Sequence, residues 1–142
     1  MLGKIIFILG FCLVMVGCAT QTNESDVDIT IGDRMFMTTV NNIHFNADEY
    51  IGKTIKLEGI FSFYEFDGME LIAVFRHSPG CCGDDGMTGF FVAWDYEYPP
   101  NYEWVEAVGV LEFFYDFGYR EIRLNLLSLT VLDERGLEFV SM

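Results

Sequence analysis

Residues 54–66 read TIKLEGIFSFYEF, followed by Asp67-Gly68 and then by MELIAVFRH at residues 69–77. In the first run Ile55, Leu57 and then Ile60 or Phe61 alternate with polar or small neighbours. That period of two is the mark of a strand half-buried against a core. β-Branched and aromatic residues fill the run, and Gly59 interrupts it where a bulge or bend is expected. Asp-Gly between two such stretches is a strong short-range hairpin signal. Two strands folded back on each other therefore seed the fold.

The same pattern extends downstream. Residues 78–87 read as a loop, with Pro79 and three glycines. GFFVAW at residues 89–94 reads as a third strand, whereas Pro99-Pro100 bars residues 96–102 from any central strand. WVEAVGVLEFFY (104–115) and YREIRLNLLSLTVL (119–132) form a second hairpin around Asp116-Phe117-Gly118. A meander of three strands, a connection and a hairpin predict a mainly β domain, a small five-stranded OB-like Greek-key barrel. Closure hides edges that strands this apolar could not safely expose. An open sandwich or a partial barrel would use the same strands.

A short helical or extended segment precedes the barrel. Phe36, Val40 and Ile43 share one helix face, whereas Thr38-Thr39-Val40 and Ile43-His44-Phe45 suit a strand. Asn46 followed by Asp48-Glu49 starts a single helical turn. In the tail at 133–142, Leu137, Phe139 and Val140 are candidates to pack back. The chain has 142 residues, room for one domain, and at 51% hydrophobic and 16% aromatic it is no disordered polymer. Eight Lys plus Arg face 22 Asp plus Glu, a formal charge of -14. Such a field repels phosphate backbones, so nucleic acid is excluded as a general partner.

The first residues read as an address. Lys4 precedes an apolar run at 5–16, too short to span a bilayer comfortably, which ends in Met15-Val16-Gly17-Cys18. Gly17 before Cys18 resembles the bacterial lipobox, with Met15 in place of the usual Leu. The expected organisation is a lipoprotein signal peptide at 1–17, a flexible polar tether at 18–28 and the barrel domain at 29–142. Acyl chains on Cys18 would hold the domain on the extracytoplasmic face of the cell membrane. Ala19, rather than Asp, follows the lipid cysteine, which resembles outer-membrane sorting if the cell has two membranes.

Chemistry concentrates in RHSPGCCGDDGM at residues 76–87. An exported protein meets an oxidising milieu, so the adjacent Cys81 and Cys82 demand an account. Three fit: a strained vicinal disulfide eased by Gly80 and Gly83; a soft-metal site for Zn²⁺ or Cu⁺, with His77, Asp84 or Asp85 as further ligands; or an inert turn. Asp84-Asp85-Gly86 lacks the calcium-loop ladder. Arg76 could pair with Asp84 or Asp85, or lower a thiol pKa. Aromatic clusters around Phe61, Phe63 and Tyr64, around Tyr96, Tyr98, Tyr102 and Trp104, and around Phe113, Phe114 and Tyr115 serve either as core or as a stacking surface. There is no triad context, phosphate cradle or zinc-protease motif, so no catalytic residue is nominated.

Phe36 through Lys53, then Ile55, Gly59, Arg76, Cys81-Cys82 with Asp85, and Trp104-Val105 with Gly109 together resemble the C-terminal domain of the YcgQ-like family of bacterial membrane-associated proteins. The likeness covers roughly residues 34–132. It implies a helix over 36–45, a membrane-side location and an envelope role involving metals or a transporter partner. The chain departs from the family in carrying a lipid cysteine where the family has membrane helices, and Asp84 where it shows a small apolar residue. The expectation is a lipid-anchored, non-enzymatic binding or accessory module that takes up a peptide, glycan or partner protein. The alternative is a metal-binding or redox-active envelope protein using Cys81 and Cys82.

Overall fold

The computed structural model describes residues 26–116 and 118–141. The leader at 1–17, Cys18 and most of the tether lie outside the described residues, as does the side chain of Asp84. In chain order the elements are β1 (Ile29–Ile31), a 3-10 turn (Asp33–Met35), α1 (Phe36–Phe45), α2 (Ala47–Tyr50), β2 (Thr54–Phe66), β3 (Met69–Gly80), β4 (Gly83–Ala93), β5 (Trp104–Asp116) and β6 (Tyr119–Val131). The sheet runs β1-β2-β3-β4-β6-β5, and β2 also pairs with β5, which closes β2 to β6 into a five-stranded barrel. β4 joins β6 in parallel over Phe91–Ala93, and the other barrel pairings are antiparallel. That is OB-type connectivity. The open alternatives fall away.

β2 closes the barrel because it serves two partners. From Thr54 to Ile60 it pairs with β5, and from Ile60 to Phe66 with β3. Gly59 marks the handover: a Cβ there would lie 2.7 Å from the carbonyl oxygen of Phe75. Ile55, Leu57 and Phe61 point inward with Val74, Phe90, Val105, Ala107, Leu111 and Leu124, forming one core. Each large apolar side chain removed from water there contributes roughly 1.5–3 kcal/mol. The predicted Asp-Gly turn is present, with Asp67 and Gly68 both at positive φ (51° and 77°), the signature of a type I′ hairpin.

Residues 36–45 are helical. Phe36, Val40 and Ile43 are each buried in the barrel core, and α1 has no side-chain N-cap. A ten-residue helix with a Thr-Thr-Val run draws little from propensity, so burial of this face is what holds it. The helical turn foreseen after Asn46 is α2.

Three features differ from the sequence reading. β1, a three-residue strand parallel to β2, is too short to show a period. The loop expected at 78–87 is instead mostly hairpin: β3 runs to Gly80, β4 starts at Gly83, and only Cys81-Cys82 remain as the turn. The ladder shifts register between Ser78 and Gly80, which accommodates Pro79. Gly86 serves close approach, since a Cβ there would sit 2.7 Å from the Pro79 carbonyl oxygen, whereas Gly83 takes a positive φ of 113°. In the tail, Val140 is buried whereas Leu137 and Phe139 are exposed. The tail lies along β3, His77 donating its N–H to the Glu138 carbonyl and accepting from Val140 N–H, both at 2.8 Å.

Candidate functional site

Strands β3 and β4 carry the thiols outward on a hairpin arm. Gly80 and Gly83 pair across it, so Cys81 and Cys82 form a two-residue tip, exposed and free, with their Sγ atoms 3.3 Å apart. Asp85 folds back over the tip because Gly80 has no side chain; a Cβ there would lie 2.0 Å from Asp85 Oδ1. Asp85 Oδ1 faces the Cys82 N–H at 3.4 Å. One donor atom from each of Cys81, Cys82 and Asp85 falls within 4.8 Å of the others. Two thiols and a carboxylate make three ligands for a soft or borderline cation, with a further position open to water or a partner.

The other predicted ligands fare differently. His77 does not join this group; its ring stands edge-on to Phe75 at 5.5 Å and its backbone is held by the tail. The Asp84 carboxylate is outside what is described. Among the described residues Arg76 pairs with Asp33 and not with Asp85. It is buried at the corner where β2 leaves β3, 1% exposed, with its guanidinium between the rings of Phe36 (4.3 Å) and Trp104 (5.0 Å). Its Nε donates to the Glu58 carbonyl at 2.8 Å and its Nη1 pairs with Asp33 at 2.6 Å. Arg76 thus satisfies a carbonyl beside the strand handover and latches the N-terminal turn to the barrel.

Beside the arm lies a cleft of about 370 Å³, lined by Val40, His44, Phe75, Met87, Gly89 and Phe91 among others. His44 Nε2 donates to the Gly89 carbonyl at 2.9 Å, and its ring stacks on Phe90 at 5.1 Å and 9°. Met87 and Phe91 are exposed at its rim. Sequence reasoning missed this cleft, because neither the open edge of β4 nor its meeting with α1 leaves a local signal.

The aromatic clusters divide between core and surface. Phe61 and Trp104 are fully buried, whereas Tyr64, Tyr96, Tyr102 and Tyr115 are exposed. Asn101 mimics a strand partner, accepting from Phe63 N–H and donating to the Phe63 carbonyl. Tyr102, at φ 69°, brings its phenol 3.1 Å from that of Tyr64. The shared hydrogen bond lowers the Tyr64 pKa and raises that of Tyr102. Tyr98, packed on Phe63, is held above its ordinary value by burial and then by the Glu70 carboxylate.

A closed barrel of OB connectivity, plugged by a preceding helix and bearing a paired-cysteine arm, defines a class of small β domain. The chain belongs to the DUF1980 C-terminal domain family, whose profile matches residues 16–134. That agrees with the resemblance carried by Phe36 through Lys53, Ile55, Gly59, Arg76, Cys81-Cys82 with Asp85, and Trp104-Val105 with Gly109. A search of curated proteins finds no match.

Proposed function

We propose that the chain is a lipid-anchored extracytoplasmic protein whose barrel is a non-enzymatic binding or accessory module for an envelope protein or a transporter. The cleft beside α1 carries the binding part of this reading. At about 370 Å³, with exposed Met87 and Phe91 beside a hydrogen-bonded His44, it is concave, apolar and of ligand-site size. The anchor rests on Gly17-Cys18 after a short apolar run. Palmitate labelling of whole cells tests it. Label should enter the wild type and vanish in Cys18→Ala, with release of that variant from membranes. Equal membrane retention of an unprocessed wild type and the variant rejects the anchor.

A second reading, a metal-binding tip, is favoured by the convergence of Cys81, Cys82 and Asp85. Zn²⁺ fits better than Cu⁺. Two sulfurs bound at about 2.3 Å and a tetrahedral angle sit roughly 3.8 Å apart, so the thiols need only part slightly from 3.3 Å. A linear two-thiolate Cu⁺ site would place them on opposite sides of the ion. The reduced protein should bind one Zn²⁺ with proton release, more tightly at higher pH. Cys81→Ser with Cys82→Ser should abolish binding and Asp85→Asn should weaken it. Unaltered binding in the double variant excludes the tip.

A further inference from the structure

β4 presents an unfilled main-chain edge. The Gly89 carbonyl points away from β3, since His44 takes it. Alternate residues of an antiparallel strand turn their backbone the same way, so Met87 offers both its N–H and C=O on that side and Gly89 its N–H. His77, opposite Met87 in the ladder, obeys the same geometry: its N–H and C=O face away from β4, toward the tail. Among the described residues no strand pairs with the outer edge of β4 until β6 joins at Phe91. Directly beside that edge lie Met87, Phe91 and Phe75, the apolar lining of the cleft.

We infer that this edge receives an extended, basic segment of a partner protein by strand addition, its backbone extending the sheet and its alternate side chains entering the cleft. The inference rests on the binding-module reading and gives its partner a chemistry. An exposed edge with free N–H and C=O groups is a template for another strand, and neighbouring pockets then read every second residue. The charge selects the occupant. With 22 acids against 8 bases the chain repels a second copy of itself, and its own tether brings Glu24, Asp26 and Asp28. A Lys- or Arg-bearing strand is attracted by the same field.

The test uses the full chain in zwitterionic detergent and three blocked nine-residue peptides. One alternates Lys and Val, one alternates Glu and Val, and the third is the Lys-Val peptide N-methylated along its bonding side. The Lys-Val peptide should bind, measured by fluorescence anisotropy, and should slow deuterium uptake across residues 83–90 while leaving that around His77 unchanged. N-Methylation or Glu for Lys should weaken binding at least tenfold. Met87→Pro removes an N–H that β3 does not use and should cost about as much. His44→Ala frees the Gly89 carbonyl and should tighten binding severalfold. Equal affinity for the N-methylated or Glu peptide, or no protection of the β4 edge in folded protein, overturns the proposal. So does a wild-type dimer that Met87→Pro abolishes, which would make the occupant a second copy. Failure here with intact palmitate labelling leaves the anchored module standing; loss of labelling with peptide binding intact removes only the anchor.

Discussion

On the β3 side of the hairpin arm, His77 has both main-chain groups bonded to the C-terminal tail, and Val140 is buried beside it. On the β4 side, no main-chain partner bonds Met87 among the described residues, and the His44 ring reaches the neighbouring Gly89 carbonyl. The two edges belong to one hairpin and face similar solvent, yet one is sealed by the chain itself. The contrast teaches that exposed edges are not an unavoidable by-product of this arm. A chain that folds Glu138–Val140 back along β3 leaves β4 available.

The largest expected effect on that contrast comes from the sealed side. Arg76→Met removes the hydrogen bond to Glu58, the ion pair with Asp33 and the contacts with Phe36 and Trp104. Loss of a buried charged partner costs about 3–5 kcal/mol. Asp33 is largely solvated, so the lower end applies. Urea unfolding should read a loss of about 3 kcal/mol, and a loss below about 1 kcal/mol would mean that Arg76 does not hold this corner.

Val140→Ala should come next, at about 2 kcal/mol for two buried carbons and the space they leave. Deuterium uptake around His77 should rise while that around Met87 stays as it was. If both edges change together, the seal is not local. His44→Ala, on the open side, should cost about 1 kcal/mol through one hydrogen bond and a ring contact. It should also quicken exchange along β4 alone.

The smallest effect concerns pH. Burial, with the Glu70 carboxylate second, raises the Tyr98 phenol above its ordinary value, so near and above pH ~10 the folded chain keeps a proton that the unfolded chain releases. Stability from this group is therefore complete below about pH 10 and is lost as pH climbs toward the folded value. Tyr98→Phe should flatten the alkaline fall in thermal midpoint, and an unchanged slope would remove Tyr98 as its source.

The barrel strands were legible because they are long and one face of each meets the core, so alternation persists over many residues. Gly59 was legible as an interruption, though only the pairing of β2 with both β3 and β5 explains it. The helix at 36–45 was not decided by its residues, since Thr38, Thr39 and Val40 oppose what burial of Phe36, Val40 and Ile43 achieves. The glycines at 80, 83 and 86 suggested a loop; Gly80 and Gly86 instead permit tight cross-strand approach, and Gly83 supplies a positive φ of 113° at the turn. At the candidate site, Cys81, Cys82 and Asp85 were readable together because they stand within five residues of one hairpin tip. The partners of Arg76 were not, because Asp33 and Glu58 reach it only through the closed sheet.

The entry of the chain into the barrel has a mechanical consequence. Asp28 Oδ2 accepts from Thr54 N–H, β1 runs parallel to the start of β2, and Asp33 is latched to Arg76. A pull applied upstream of Asp28 is directed along β1, so its rungs are loaded together in shear instead of being unzipped one after another. A domain fastened by its leading end and dragged by flow or by a moving partner would therefore yield late at this strap.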